Sequence, residues 1–226
     1  MRTQSSSQRL GFSLLELLAV ILIIGVVAVF VTPAITTILK GSQISQGEQI
    51  LVDQFKLARQ LALTRNRSIE VRFIRYGDPE IPGEKKNDPT SGGYRAIQLM
   101  EVLDSGAIVP IDKPQVLPQA TILATGTLST LLSDPTVKTL TASQSRTTDG
   151  GADPAMPRGI EYCYDFAYFR FLRDGSTDLK TTNSVVWCVT LVNMNDRATG
   201  GTLPANFVTL QIDPISGAIR IFRPSV

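Results

Sequence analysis

A single carboxylate stands inside the longest apolar stretch of this 226-residue chain. The stretch runs from Phe12 to Val31, and Ser13 and Glu16 are its only polar side chains. An acidic side chain at the centre of a membrane helix costs about 2.5–3.5 kcal/mol, so it usually has a partner and a function. The chemistry indicated is therefore charge pairing in apolar surroundings.

The residues before this stretch indicate processing. Residues 1–10 carry Arg2 and Arg9 and no acidic side chain. A secretory signal places its apolar segment before the cleavage site and loses that segment on cleavage. Here the small residue Gly11 precedes the apolar segment, so cleavage after Gly11 would leave the segment on the mature chain, with a new amine on Phe12.

The pattern Gly-Phe-Ser-Leu-x-Glu from Gly11 to Glu16, followed by the apolar run and Pro33, resembles the N-terminal signal of type IV pilins and type II secretion pseudopilins. The resemblance implies that prepilin peptidase cuts after Gly11 and methylates Phe12. It implies that Pro33 kinks a long N-terminal helix, and that Glu16 pairs with the N-terminal amine of an adjacent filament subunit. The alternatives are an ordinary anchor and a glutamate that only reaches the lipid headgroups.

Residues 12–31 would form about 30 Å of helix, enough to span the hydrocarbon core of a bilayer. The basic leader, with Lys40 as the only charge soon after the span, favours a leader in the cytoplasm and a domain outside. Together with the resemblance, this predicts a single-pass protein of the inner membrane, in contact with lipid. Its globular domain would lie in the periplasm, or outside the cell within a filament.

Three segments are predicted: a leader at 1–11, an N-terminal helix at 12–67 and a globular domain at 68–226. The helix divides into a transmembrane part, 12–31, and an amphipathic part, 32–67. Along the second part, apolar side chains recur at spacings of three and four, at Leu51, Phe55, Ala58 and Ala62. The alternative is two helices broken at Gly41-Ser42, because glycine weakens a helix.

The globular domain shows strand patterns, which predict an α+β fold with the long helix packed on an antiparallel β-sheet. The strand patterns occupy 68–76, 94–103, 107–111, 159–172, 185–194, 207–212 and 218–222. The segment 68–76 is predicted to be a half-buried strand, with Glu70 and Arg72 facing outward. Residues 114–118 mark a break, and residues 121–132 fit a strand or a short helix. Residues 77–93 and 133–159 are predicted to be loops.

Three segments, 57–68, 171–176 and 212–219, resemble those of H-type minor pseudopilins and their pilus relatives. The two long loops depart from that compact domain, and a second resemblance is to the Verru_Chthon cassette proteins. The implied function is a non-enzymatic minor subunit of a type II secretion pseudopilus or a type IV pilus-like filament. Its implied partners are prepilin peptidase, other pilin or pseudopilin subunits, and the inner-membrane assembly platform with its ATPase complex.

Composition excludes several kinds of catalytic site. The chain has no histidine, which rules out histidine-dependent triads and histidine-ligated zinc. Two cysteines are too few for a cysteine-based zinc or iron–sulfur site. Four acidic residues fit no regular calcium loop: Asp149, Asp153, Asp165 and Asp174. No catalytic residue, cofactor or metal site is therefore predicted.

The two cysteines, Cys163 and Cys188, are candidates for one disulfide, since an exported domain meets an oxidising compartment. A hairpin through residues 173–176 would place their strands side by side. The alternative is two free, buried thiols on opposite faces.

Net charge gives no general case for nucleic-acid binding. The formal charge is +2, and loss of Arg2 and Arg9 with the leader would bring the side-chain charge to zero. Arg220 and Arg223, together with Arg170 and Arg173, could still form a basic patch. The resemblance implies an alternative function, because some H-type relatives in competence pili bind DNA through arginines in this region: a minor pilin that binds DNA during uptake or adheres to a surface. Solvated surface arginines are the simpler interpretation.

Processing can be tested on protein extracted from membranes. Mass spectrometry should show a chain that begins at Phe12 and carries one added methyl group. Gly11→Ala should slow or block the cut, because the peptidase would meet a larger side chain at that position. A chain that still begins at Met1 in cells with an active prepilin peptidase would contradict the prediction.

Overall fold

The computed structural model describes residues 13–85, 88–118, 121–123, 125–133, 138–141, 164–181, 185–194 and 204–224. The chain divides into two compact units, Met1–Lys40 and Gly41–Val226. The described residues form a long helix and an antiparallel sheet, so the predicted α+β class is confirmed.

Helix α1 runs from Leu14 to Arg65. It includes Gly41, so the alternative of a break at Gly41-Ser42 is not observed. Within the described part of the first unit, the large apolar side chains of α1 are exposed from Leu14 to Val29. Among the helices of the described residues, none is long and apolar enough to cross a membrane.

The second half of α1 uses the apolar face that the sequence predicts. Four side chains of that face are completely buried: Leu51, Phe55, Ala58 and Ala62. The ring of Phe55 meets Phe73 edge-on at 5.9 Å between centroids, and Phe169 at 6.1 Å. Because such aromatic pairs contribute beyond their buried area, these three rings fix this part of the helix against the sheet.

Helix α1 ends just before a residue with a left-handed backbone conformation. Asn66 has φ 51°, a conformation that asparagine tolerates better than most residues and that commonly terminates helices. The strand that follows begins at Ile69.

The sheet has ten antiparallel strands in the described residues, in the spatial order β10-β9-β8-β5-β2-β1-β7-β6, with β3 and β4 also pairing with β2. The strands are β1 Ile69–Tyr76, β2 Gly93–Val102, β3 Ile108–Pro110, β4 Gln115–Val116, β5 Thr121–Leu123, β6 Lys138–Thr141, β7 Asp165–Phe171, β8 Cys188–Asn193, β9 Phe207–Ile212 and β10 Ile219–Phe222. A short helix α2 spans Thr130–Ser133, and 3-10 turns occupy Pro89–Ser91 and Gly126–Leu128.

One predicted loop and one predicted break contain strands, and one ambiguous segment is resolved. Strand β6 lies within the predicted loop 133–159, where it pairs with β7 at the edge of the sheet. Strand β4 occupies the predicted break at 114–118. Residues 121–132 contain both alternatives, a strand at β5 and a helix at α2. Short strands such as these are too brief to show a clear alternation in the sequence.

Strand β1 is buried on both faces, so the prediction of a half-buried strand was wrong. Glu70 and Arg72 are each only 1% exposed. Arg72 Nε bonds the Glu70 carboxylate at 2.6 Å, and Arg170 Nη2 bonds its other oxygen at 2.8 Å. The Arg72 guanidinium also lies 4.3 Å from the ring centroid of Phe166. Paired charges of this kind can be buried where isolated charges cannot.

Strands β7 and β8 are not neighbours, so the predicted hairpin through residues 173–176 was wrong. Strands β1, β2 and β5 lie between them. The turn after β7 docks instead on the turn between β9 and β10. Thr177 N donates to Pro214 O at 2.9 Å, and Arg59 Nε donates to Gly175 O at 3.4 Å.

The two docked turns leave no room for a side chain at Gly217. Its φ is +64°, and a Cβ there would lie 2.2 Å from Gly175 O. Two segments that the sequence singled out separately, 171–176 and 212–219, are therefore parts of one contact.

Gly217→Ala should destabilise the fold strongly. Gly106→Ala is the matched control, because Gly106 has φ +82° with nothing within 4 Å of the added Cβ. The control should lose about 1–2 kcal/mol for its left-handed backbone alone. Chemical denaturation should show a clearly larger loss for Gly217→Ala; equal losses would mean that the turn contact is not tight.

Candidate assembly site

The first turn of α1 is closed by Ser13. Its hydroxyl accepts a hydrogen bond from Glu16 N at 3.2 Å, and its carbonyl accepts from Leu17 N at 3.2 Å. A serine at this position satisfies a backbone donor that the helix leaves unpaired. The helix therefore starts at Leu14, and the spacing Ser-x-x-Glu is the sequence signal of such a cap. This role of Ser13 was not predicted from the sequence.

Glu16 lies in that first turn with an exposed side chain. A carboxylate there is favoured by the partial positive charge of the helix N-terminus. No side chain of the described residues pairs with it. The carboxylate is thus available to a cation from outside the described part of the chain.

The surface around Glu16 is apolar. From Leu14 to Val29, the large side chains are between 48% and 83% exposed. Apolar patches of this kind mark sites of contact with membrane or protein, because leaving them in water is unfavourable. A carboxylate in such surroundings would lose its water on contact, and it would then need a cation beside it.

The remaining residues of the N-terminal pattern are only partly described. Gly11 and Phe12 lie outside the described residues. Pro33 lies inside α1, and the kink there stays a prediction.

The end of α1 is tied to the sheet by charges. The Glu101 carboxylate on β2 accepts from Arg65 and from Arg67, the latter at 3.0 Å. Asp104 lies 3.7 Å from Arg67 and 3.0 Å from Arg173. Burial raises the pKa of Glu101, but hydrogen bonds from Arg67 and Arg65 outweigh it and hold that pKa below its ordinary value.

Most of the four arginines of the proposed basic patch have other partners. Arg170 stands on β7 and Arg220 on β10, and these two strands are not neighbours in the sheet. Three of the four are paired with carboxylates: Arg170 with Glu70, Arg173 with Asp104, and Arg223 with Glu48. Arg220 and Arg223 remain near each other on one edge, and a nucleic-acid contact there stays untested.

Cys188 is half-buried at the start of β8. Its backbone N donates to Thr130 Oγ1 at 2.8 Å, and its thiol lies 3.7 Å from Leu128 O. Cys163 lies outside the described residues, so the Cys163–Cys188 disulfide stays a prediction, now without the hairpin that supported it.

Two of the four acidic residues weighed for calcium have other partners. Asp165 pairs with Arg75 at 2.7 Å, and the Asp174 carboxylate accepts from its own turn at Ser176. Asp149 and Asp153 lie outside the described residues. In the part of the chain that the structure describes, no group of three or more histidine, cysteine, aspartate or glutamate residues is placed to hold a metal ion.

Comparisons with known proteins agree with the N-terminal pattern. Residues 6–32 match the family model described as the prokaryotic N-terminal methylation motif. The predicted resemblance to type IV pilin-like and pseudopilin proteins is thereby confirmed for this segment. No curated protein matches the chain significantly.

Among solved structures, the minor pseudopilin EpsH from the type 2 secretion system of Vibrio cholerae resembles the chain at 9% sequence identity and a TM-score of 0.40. The match covers 81% of this chain and 99% of that chain.

The charge tie at the end of α1 predicts a pH-dependent stability. The folded pKa of Glu101 is lowered, so the stabilisation is present above the unfolded pKa and is lost as pH falls through the folded value. Glu101→Gln should cost about 1 kcal/mol near neutral pH, since both arginines are partly exposed. Below about pH 3, where carboxyls are largely protonated, the stability of Glu101→Gln should approach that of the parent chain. Urea unfolding at both pH values measures this; a pH-independent difference would contradict it.

Proposed function

We propose that the chain is a non-enzymatic minor subunit of a type II secretion pseudopilus or a type IV pilus-like filament. The observation that carries the proposal is the methylation motif at residues 6–32, which coincides with the capped, apolar start of α1. A helix on an antiparallel sheet agrees with such a subunit.

Processing is the first step of this function. Prepilin peptidase would hydrolyse the bond between Gly11 and Phe12, and the Phe12 amine would then receive a methyl group. The Ser13 cap supports the step, because the helix that the structure describes begins at Leu14, close after the bond in sequence. The new amine would lie one helical turn from Glu16 in sequence.

Before assembly, residues 12–31 would anchor the subunit in the inner membrane, with the sheet-bearing unit in the periplasm. The exposed apolar side chains from Leu14 to Val29 support this step, since lipid would cover them. In the filament, the same side chains would contact neighbouring subunits. The inner-membrane platform and its ATPase complex would drive the transfer.

Glu16 would set the register of neighbouring subunits. The methylated amine of Phe12 stays cationic, so it can pair with the carboxylate of the adjacent copy. Each charge alone is costly in apolar surroundings, whereas the pair satisfies both. A shift of one helical position would separate the two charges, and the pair therefore favours one arrangement.

The role of Glu16 can be tested by replacing it. Glu16→Val should keep the chain in the membrane fraction, because the stretch becomes more apolar. Incorporation into filaments should fall at least about tenfold, since leaving one buried charge of a pair without its partner costs about 3–5 kcal/mol. Leu17→Val is the matched control for a β-branched side chain in the same turn and should assemble like the parent. Normal assembly of Glu16→Val would refute the pairing.

A further inference from the structure

Strand β10 forms one edge of the sheet that the described residues build, and within that sheet its outer side has no neighbouring strand. Among the described residues it pairs with β9 alone. Its side chains Arg220, Ile221 and Phe222 are exposed, the last two at 46% and 49%. An open edge strand is a template on which another strand can pair, and proteins usually restrict it.

The hydrogen bonds of the β9–β10 hairpin show which backbone groups of β10 face outward. Asp213 N donates to Ala218 O at 2.9 Å and Asp213 O accepts from Gly217 N at 2.8 Å, so Asp213 is a hydrogen-bonded position that lies opposite both residues. Such positions alternate along antiparallel strands. The next pair, Ile219 with Ile212, is therefore of the other kind, and Ile212 N indeed donates away from β10, to Trp187 O.

It follows that Ile219 and Ile221 direct their N–H and C=O groups away from β9. These groups form the free edge. Arg220, between them, directs its backbone toward β9 and its side chain to the face opposite Ile219 and Ile221.

A groove of about 450 Å³ lies along this edge, between β10 and the second half of α1. Its lining combines apolar groups with cations: Lys56, Arg59, Gln60, Leu63, Thr64, Gly217, Ala218 and Ile219. Strand β10 is held on α1 at both ends of the groove. Arg59 and Gly217 meet at one end, and Arg223 pairs with Glu48 at the other. The groove is thus fixed by contacts on both sides.

The charges on both faces of β10 favour an acidic occupant. Lys56 and Arg59 line the groove on the helix side, and Arg220 stands on the opposite face of the strand. The Asp213 carboxylate lies in the turn at one end; hydrogen bonds from Ser216 and Ile215 and the nearby Arg220 lower its pKa. Glu48, at the other end, is already paired with Arg223.

A second copy of the chain fits this edge poorly. Self-pairing of β10 about a two-fold axis uses the free groups of both Ile219 and Ile221 only in the register that places Ile219 opposite Ile221 of the other copy. Arg220 would then lie directly opposite its own copy, and like charges directly opposite are destabilising. An acidic strand of another protein would reverse the sign of that interaction.

We propose that β10 and this groove bind an extended acidic segment of a different protein, which adds to the sheet as an eleventh strand. Its backbone bonds Ile219 and Ile221, its apolar side chains enter the groove, and its carboxylates meet Arg220 on the other face. Backbone bonds supply affinity in this mode, and the alternate side chains supply selectivity. The site lies in the second unit and does not depend on the membrane anchor.

The test uses the full chain in detergent micelles and two labelled peptides of about eight residues, a common strand length. One peptide alternates valine with glutamate, and the other alternates valine with lysine. Fluorescence anisotropy should show tighter binding of the acidic peptide. Arg220→Glu should weaken that binding about fivefold, whereas Lys113→Glu, the same charge change at an exposed residue elsewhere, should not.

Ile221→Pro separates strand addition from simple charge attraction. Proline removes an outward N–H while keeping every charge, and edge strands tolerate it better than central ones. It should weaken acidic-peptide binding at least as much as Arg220→Glu, with an unchanged circular dichroism spectrum.

If the circular dichroism spectrum of Ile221→Pro changes, Arg220→Ala replaces it as the test, because this variant keeps the backbone. Arg220→Ala should lose part of the affinity for the acidic peptide. Three results would overturn the proposal: no binding of the acidic peptide, equal weakening by Lys113→Glu, or a dimer of the parent chain that Ile221→Pro dissociates.

Discussion

The contact between the second half of α1 and one face of the sheet is the interaction on which the second unit depends. Phe55 brings the helix against Phe73 on β1 and Phe169 on β7, at the centre of the main apolar core. These two strands are neighbours, so a single side chain of the helix touches both. The charge tie at Glu101 and the docked turns at Gly175 and Gly217 hold the rest of this helical segment in the position that Phe55 sets.

On the opposite face of the same sheet, charged side chains are buried. Glu70 accepts from Arg72 on its own strand and from Arg170 across the register, so the carboxylate has two cations. Removing one partner of such a network is costly, although an apolar replacement of the whole set can be neutral. The network therefore constrains strand register more surely than it adds stability, because a slip of one residue would move Glu70 to the helix face.

The sequence predicted those features that depend on neighbours along the chain. The spacing of Leu51, Phe55, Ala58 and Ala62 identified the buried helix face, and the strand ranges at β1, β2 and β9 agree closely with the structure. Features that depend on distant partners were not predictable in this way. The burial of Glu70 requires Arg170, which lies 100 residues later. The separation of β7 from β8 likewise depends on the strands inserted between them, which local periodicity does not report.

At the candidate assembly site, the type and spacing of residues were sufficient to identify the motif that spans residues 6–32. The Ser13 cap also has a local sequence signal, Ser-x-x-Glu, within the same motif. The carboxylate partners of Arg170, Arg173 and Arg223 could not be predicted, because each of the three ion pairs joins residues far apart in sequence.

The clasp between Arg223 and Glu48 has a consequence for how the chain reaches this state. The two residues are separated by 175 positions, and β10 can close on the helix only after the residues between them have been synthesised. Contacts of such long separation form slowly, since a large loop must close before they contribute. Until then, the main apolar core lacks Ile219, which packs against it. Between the synthesis of the helix and the docking of β10, the chain is most accessible to chaperones and proteases.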